Sequence, residues 1–177
     1  MLNPKIEKAI NDQINAEAYS AYLYLSMSAY FERMNLPGFA KWTYVQYLEE
    51  TTHSLKFFKY VNERSGSVKI MAIKEPPMEW KSPMHVFEEI LKHEQYVTSL
   101  INNLVDLSLQ EKDHASNNLL QWYVAEQVEE EANASLILGH LKRTGDSKDG
   151  LFMLDKELSV RIFNDATGTI NPMAAGA

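Results

Sequence analysis

Four glutamates interrupt apolar stripes at helical spacing, and one of them is followed three residues later by a histidine. Glu17 lies three residues after Ile14, four before Ala21 and seven before Tyr24, on the face that a helix would bury. Glu50 and His53 fall in the series Phe39, Thr43, Gln46, Glu50, His53, Phe57, where an i, i+3 pair can converge on one point. Glu94 stands between Ile90 and Val97, and Gln127 and Glu130 stand in the run Tyr123, Gln127, Glu130, Ala134, Ile137. A single inward glutamate is commonly half exposed, but four of them need a counter-charge, because a bare buried carboxylate is costly and its neighbours repel it. Protonation of some members, or basic partners, could in principle serve, but no lysine or arginine falls on these stripes at the same level. Two divalent cations would cancel four carboxylates. Oxygen-rich sites with one imidazole suit Fe, Mn or, less selectively, Zn. The absence of cysteine excludes a thiolate zinc site, a rubredoxin-type iron centre, a disulfide scaffold and a cysteine nucleophile together.

The elements that must position these groups follow from the punctuation. Asn3-Pro4 is an N-cap with proline at the first helical position, and the apolar period that follows predicts a first helix from about 4 to about 34. Leu36-Pro37-Gly38 allows only a tight reversal, so a second helix, about 38 to 65, returns antiparallel and ends at Gly66. Residues 66–82 hold Gly66, Pro76 and Pro77 without helical period, and Ser82-Pro83 opens the next helix. Extended at ~3.3 Å per residue, this connection can reach ~56 Å, more than the ~42 Å of a 28-residue helix, so the second and third helices are expected to be parallel. The third is predicted over about 83 to 110, the fourth over about 114 to 143, and a shorter fifth over Leu151 to Asn164.

The expected fold is therefore all-α: one domain over 1–165, a four-helix bundle with a long crossover between helices two and three and a short fifth helix, and a flexible tail over 166–177. Glu17, Glu50, Glu94 and Glu130 then sit near the midpoints of their helices. Midpoints of parallel and antiparallel neighbours coincide, so the four carboxylates should meet within ~5–10 Å.

A formal charge of −7 argues against the phosphate contacts that nucleic acid requires and suits a protein that attracts cations. The apolar run from Tyr19 to Phe31 is shorter than the ~20 residues that span a bilayer and is broken by serines, so no membrane association is expected. The N-terminus has no secretory pattern, which leaves the cytoplasm as the expected location. His85, His93, His114 and His140 are placed on surfaces or near helix ends, and the methionines read as packing or surface residues.

Glu17, Glu50-x-x-His53, Glu94 and Gln127-x-x-Glu130, with the runs Gln121-Trp122-Tyr123 and Glu126 to Glu131 and the segment Asp155 to Ser159, resemble the ferritin family, and within it the prokaryotic non-haem branch. The resemblance covers essentially the whole chain. It implies a ferritin-like bundle whose ferroxidase centre holds two irons per subunit: Glu17, Glu50 and His53 on the first, Glu50 bridging to the second, Glu94 and Glu130 completing it with Gln127 beside it. Tyr24 stands where the family keeps a tyrosine next to the centre, although its position also fits ordinary core. Glu49, Glu126 and Glu129, one residue off the core stripe, match the family's additional third iron site; by themselves they read as a solvated acidic face. The resemblance further implies Fe(II) oxidation with O2 or peroxide as acceptor, and a homo-oligomeric shell of twenty-four subunits that accumulates ferric mineral. Haem is not expected: the methionine that would ligate it is replaced by Thr51, and a second Glu-x-x-His by Gln127-x-x-Glu130. Two other classes stay open on the residues alone. A di-iron oxygenase or peroxidase would need a substrate pocket beside the metals, and the aromatic and aliphatic stripes offer none; a non-catalytic bundle would leave the carboxylates unexplained.

Overall fold

The computed structural model describes residues 2–169, which contain five α-helices: α1 Pro4–Arg33, α2 Pro37–Glu63, α3 Pro83–Gln110, α4 His114–Thr144 and α5 Lys148–Leu158. Four of them start at capping side chains: Asn3, Ser82, Asp113 and Ser147 each accept a hydrogen bond from a first-turn backbone N–H. α2 has no cap of its own, since Leu36 precedes it. Asp155 of α5 supplies one, its Oδ1 accepting from Gly38 N at 2.8 Å and Phe39 N at 3.1 Å.

The crossover runs along α1. Ser67 O and Lys69 N pair with the side chain of Asn11, Pro77 O accepts from Ser26 Oγ, and Met78 O and Glu79 take the Arg33 guanidinium. It thus travels from the first third of α1 to its last turn. At the opposite end Asn3 and Lys5 hold Glu111, just beyond α3, so α1 is antiparallel to both α2 and α3, and those two are parallel. The long connection is the physical requirement for that topology.

α5 departs from the predicted 151–164, starting three residues earlier and ending six earlier. Its start is set by Ser147, whose Oγ accepts from Gly150 N at 3.1 Å and draws the polar segment and Gly150 into the first turn. Beyond Leu158 a helix would gain no burial: Val160 and Ile162 are 72% and 82% exposed, and Arg161 turns back onto Glu49. Residues 165–169 form a turn on the Asp165 side chain, and the rest of the expected tail, 170–177, lies outside the described residues. Among the described residues no helix is long and apolar enough to cross a membrane.

The docking of α5 is tight enough to dictate a residue. A Cβ on Gly38 would lie 1.7 Å from the carbonyl oxygen of Asp155, which neither backbone can relieve locally. Gly38→Ala is expected to cost about 1–3 kcal/mol, the range for overpacking, as a lower denaturant midpoint; wild-type stability in that variant would show that α5 is free to shift.

The core is divided. One apolar cluster gathers Tyr24, Met27, Phe31, Phe39, Trp42, Phe87 and Ile90 at one end of the bundle. A second gathers Ile6, Ile10, Ile14, Phe57, Val61, Ile101 and Tyr123 at the other. Between them lies a buried polar layer, and that layer contains every glutamate the sequence places inward.

Candidate metal centre

Glu17, Glu50, His53, Glu94, Gln127 and Glu130 are all buried, none more than 5% exposed. One side-chain oxygen of Glu17, one of Glu50 and one ring nitrogen of His53 lie within 4.8 Å of one another, the one such group of three or more among the described residues. The i, i+3 spacing produces the pair on α2, with His53 Nδ1 3.5 Å from Glu50 Oε2. The other ring nitrogen faces Glu126 at 3.9 Å. Glu94 and Glu130 face this group from α3 and α4; their charges raise the proton affinity of Glu50.

Three of the four inner carboxylates are held by a neutral donor. Gln13 Nε2 donates to Glu17 at 2.9 Å, Gln46 Nε2 to Glu130 at 2.8 Å, and the Tyr24 hydroxyl to Glu94 at 2.5 Å. Gln127 Nε2 bridges the Glu94 backbone oxygen at 3.2 Å and the Thr98 hydroxyl at 3.3 Å, with Glu94 Oε2 at 3.4 Å. Glu17 and Glu130 are thereby oriented through one oxygen, leaving the other for a ligand. His53 is set by its own surroundings: its ring meets Trp122 and Tyr123 edge-on, and the Tyr123 hydroxyl donates to its backbone oxygen.

Burial governs the protonation. It raises Glu17, Glu50 and Glu130 above the ordinary carboxylate value, Glu50 and Glu130 strongly because the neighbouring charges add to it. Glu94 is pushed up to about 7, chiefly by burial, against the opposing bonds from Tyr24 and Gln127. Glu17 and Glu50 lie close enough to act on each other, Glu50 lowering Glu17 and Glu17 raising Glu50 further. Burial, with Lys56 nearby, lowers His53 to about 4, so its imidazole is neutral at pH 7 and its contact with Glu50 is not an ion pair. Neutral imidazole is the form that ligates metal. Burial also keeps the Tyr24 phenol protonated, as a donor to Glu94.

The donor set fits a hard or borderline divalent cation. Several carboxylates and one neutral nitrogen converge in a dry layer, and Gln46 Oε1 is buried there without a hydrogen-bond donor. A divalent cation would take the place of the protons that otherwise neutralise such a cluster.

The outer acidic residues are arranged differently. Glu49 and Glu126 are half-buried and Glu129 is exposed. Burial raises Glu49 and Glu126, and nearby like charges add to it, Glu126 and Glu129 on Glu49 and Glu129 on Glu126. Their carboxylates do not share a tight centre. Glu49 is instead paired with Arg161 at 2.5 Å.

Several participants went unassigned in the sequence. Gln13 lies one helical turn before Glu17, an i, i+4 relation that could have revealed it; Gln46 reaches Glu130 across the bundle and could not be paired from one helix. Arg161 reaches the outer Glu49 from beyond α5, off every stripe. His93 corrects its expected placement near surfaces or helix ends: it sits mid-α3, with Nε2 2.8 Å from Ser20 Oγ and its ring against Tyr19 and Tyr96, and burial lowers it to about 4. A cavity of about 610 Å³ between α1, α3 and the crossover is lined by His93, Tyr19, Tyr96 and Gln13. It reaches the edge of the centre through Gln13, where the stripes had suggested no pocket.

The model of the ferritin-like domain matches residues 7–144. The chain is 44% identical over 161 residues to a bacterial non-heme ferritin of Bacteroides fragilis, covering 91% of this chain and 100% of that one. It is 40% identical to a bacterial non-heme ferritin of Campylobacter jejuni over 156 residues, covering 88% and 93%. Among solved structures it is similar to an open-pore ferritin from the archaeon Archaeoglobus fulgidus, with a TM-score of 0.90 and 52% identity over 92% of this chain and 99% of that one.

Proposed function

Because the chain belongs to the ferritin family of iron-storage proteins, we propose that it oxidises Fe(II) at a pair of iron sites within each subunit and stores the ferric product as mineral inside a hollow shell of identical subunits. The observation that carries this reading is the buried convergence of Glu17, Glu50 and neutral His53. These three would take the first Fe(II). Glu50 would also face the second, with Glu94 and Glu130 completing its ligands and Gln127 orienting Glu94.

Fe(II) is substrate here, and four Fe(II) supply the four electrons that reduce O2 to water, or two reduce peroxide. The chain's part is to bind, orient and move protons. Protons held on Glu50 and Glu130 leave as cations enter, because a divalent ion replaces the proton as counter-charge. Gln13, Gln46 and Tyr24 keep the carboxylates in place while their charge changes. Hard oxygen ligands favour Fe(III) over Fe(II) and so drive the oxidation.

Assembly into a shell, twenty-four subunits in the family's arrangement, is supported by exposed apolar side chains that a lone subunit would leave wet. Tyr22, Leu25, Tyr44 and Leu55 on α1 and α2 are 37–51% exposed, and Ile70 and Met78 on the crossover 76% and 62%. The charge and the absence of a membrane-length helix among the described residues fit a cytoplasmic location. Aerobic addition of Fe(II) to the metal-free protein, followed optically and by particle sizing, tests the reading. Oxidation far beyond two irons per chain in a large soluble particle supports it. The cavity reaching Gln13 favours one second reading, a di-iron oxygenase, which turnover limited to the bound irons in a small oligomer would support instead.

A further inference from the structure

Arg161 stands outside the helices that build the centre, yet its guanidinium points back into the bundle. Its Nη2 lies 2.5 Å from Glu49 Oε2, and both side chains are only 19% exposed. The guanidinium carbon rests 4.5 Å from the centre of the Trp42 ring, a stacking that favours a fixed cation. Its charge also offsets the burial of Glu130, one of the inner carboxylates. Arg161 therefore stands on the side of Glu49 and Glu130, where Glu49 also feels the charges of Glu126 and Glu129.

Two features make this a competitor rather than a permanent strut. Nη1 is buried without any hydrogen-bond acceptor, so the guanidinium is held by one carboxylate where its fork could use two. The segment that carries it, after α5, is not helical and is exposed at Val160 and Ile162, so the side chain can swing out without breaking a helix. A divalent ion approaching Glu49, Glu126 and Glu129 must displace a positive charge already seated on the first of them.

We propose that Arg161 is the resident cation of the outer acidic cluster, competing with a third divalent ion for Glu49 and keeping that ion weakly bound while the inner pair fills. The proposal rests on the two-iron reading above. Arg161 then sets how long an ion stays on the outer cluster.

The test is calorimetric titration of the full-length, assembled, metal-free protein with Zn(II) at neutral pH, in the wild type and in Arg161→Gln, Arg161→Lys and Glu49→Gln. The wild type should bind two ions tightly per chain and a third weakly. Arg161→Gln should tighten the third at least tenfold, a larger change than in either of the first two, Arg161→Lys should leave it weak, and Glu49→Gln should remove it. A third ion whose affinity is unchanged or weakened in Arg161→Gln, or no third ion in any variant, overturns the proposal. Absence of the two tight ions would instead count against the two-iron reading, so the two failures are distinguishable.

Discussion

Glu50→Ala and His53→Ala should each slow the rapid phase of Fe(II) oxidation by at least about a hundredfold, the upper end of what even an outer-shell partner of a metal ligand costs. Glu50 is the residue most exposed to this loss. It touches Glu17 and His53 and feels the charges of Glu94 and Glu130, so it is the one side chain common to both proposed irons. The two variants should part company in stability. Removing Glu50 takes away a buried acid whose charged form burial, Glu94, Glu17 and Glu130 all oppose, so the metal-free variant should unfold no earlier than the wild type at neutral pH. Removing His53 leaves a gap against Trp122 and Tyr123 and should cost about 1–3 kcal/mol, below the large-to-small values of bigger core side chains. Stopped-flow absorbance reads the oxidation, and denaturant unfolding with sizing reads the fold. Wild-type oxidation rates in an intact Glu50→Ala shell would remove the centre from the mechanism.

Metal-free protein should lose stability as the pH rises from 6.5 to 8.5, by roughly 2–4 kcal/mol, and saturating Zn(II) should abolish most of that slope. An unfolded glutamate releases its proton near 4.5, whereas Glu94 in the fold keeps its proton up to about 7, and Glu50 and Glu130 are also held well above the ordinary value. Across that interval the native state binds more protons than the unfolded chain, so the contribution is fully present below 4.5 and is lost as pH climbs through the folded values. His53 and His93 act in the opposite sense. Each titrates near 4 in the fold and near 6.5 unfolded, so stability rises with pH between those values and their effect is nearly complete about one unit above 6.5. The carboxyl groups alone then set the slope, at about 1.4 kcal/mol per pH unit for each proton still held. Bound cations replace those protons and add about 2.7 kcal/mol per site at a hundredfold excess over Kd. Flat or rising stability over this range in metal-free protein would mean that the carboxylates find other counter-charges.

The bundle was legible in the sequence because each of its decisions is local. Asn3-Pro4, Ser82-Pro83 and the Leu36-Pro37-Gly38 reversal set boundaries that the helices respect within two residues, since caps and proline act on the first turn alone. The length of 66–82 set the topology, because a connection that long has to climb something. α5 was misplaced for the converse reason. Ser147 and Gly150 are residue types that also suit a polar turn, and the exit at Leu158 depends on where burial stops, which the segment's own residues do not encode.

Which faces carry the acids, and that they share one level, follows from helical period and helix length, so Glu17, Glu50, His53, Glu94, Gln127 and Glu130 could be named from the chain alone. Who holds them could not. Gln46 on Glu130, Tyr24 on Glu94 and Arg161 on Glu49 join residues 84, 70 and 112 positions apart, and no local rule pairs side chains over such distances. Protonation is likewise a tertiary outcome, since desolvation depends on what every neighbouring helix places against a group. The sequence determined that acids would point inward at mid-height; only packing decided which donors, which charges and how much water each of them would meet.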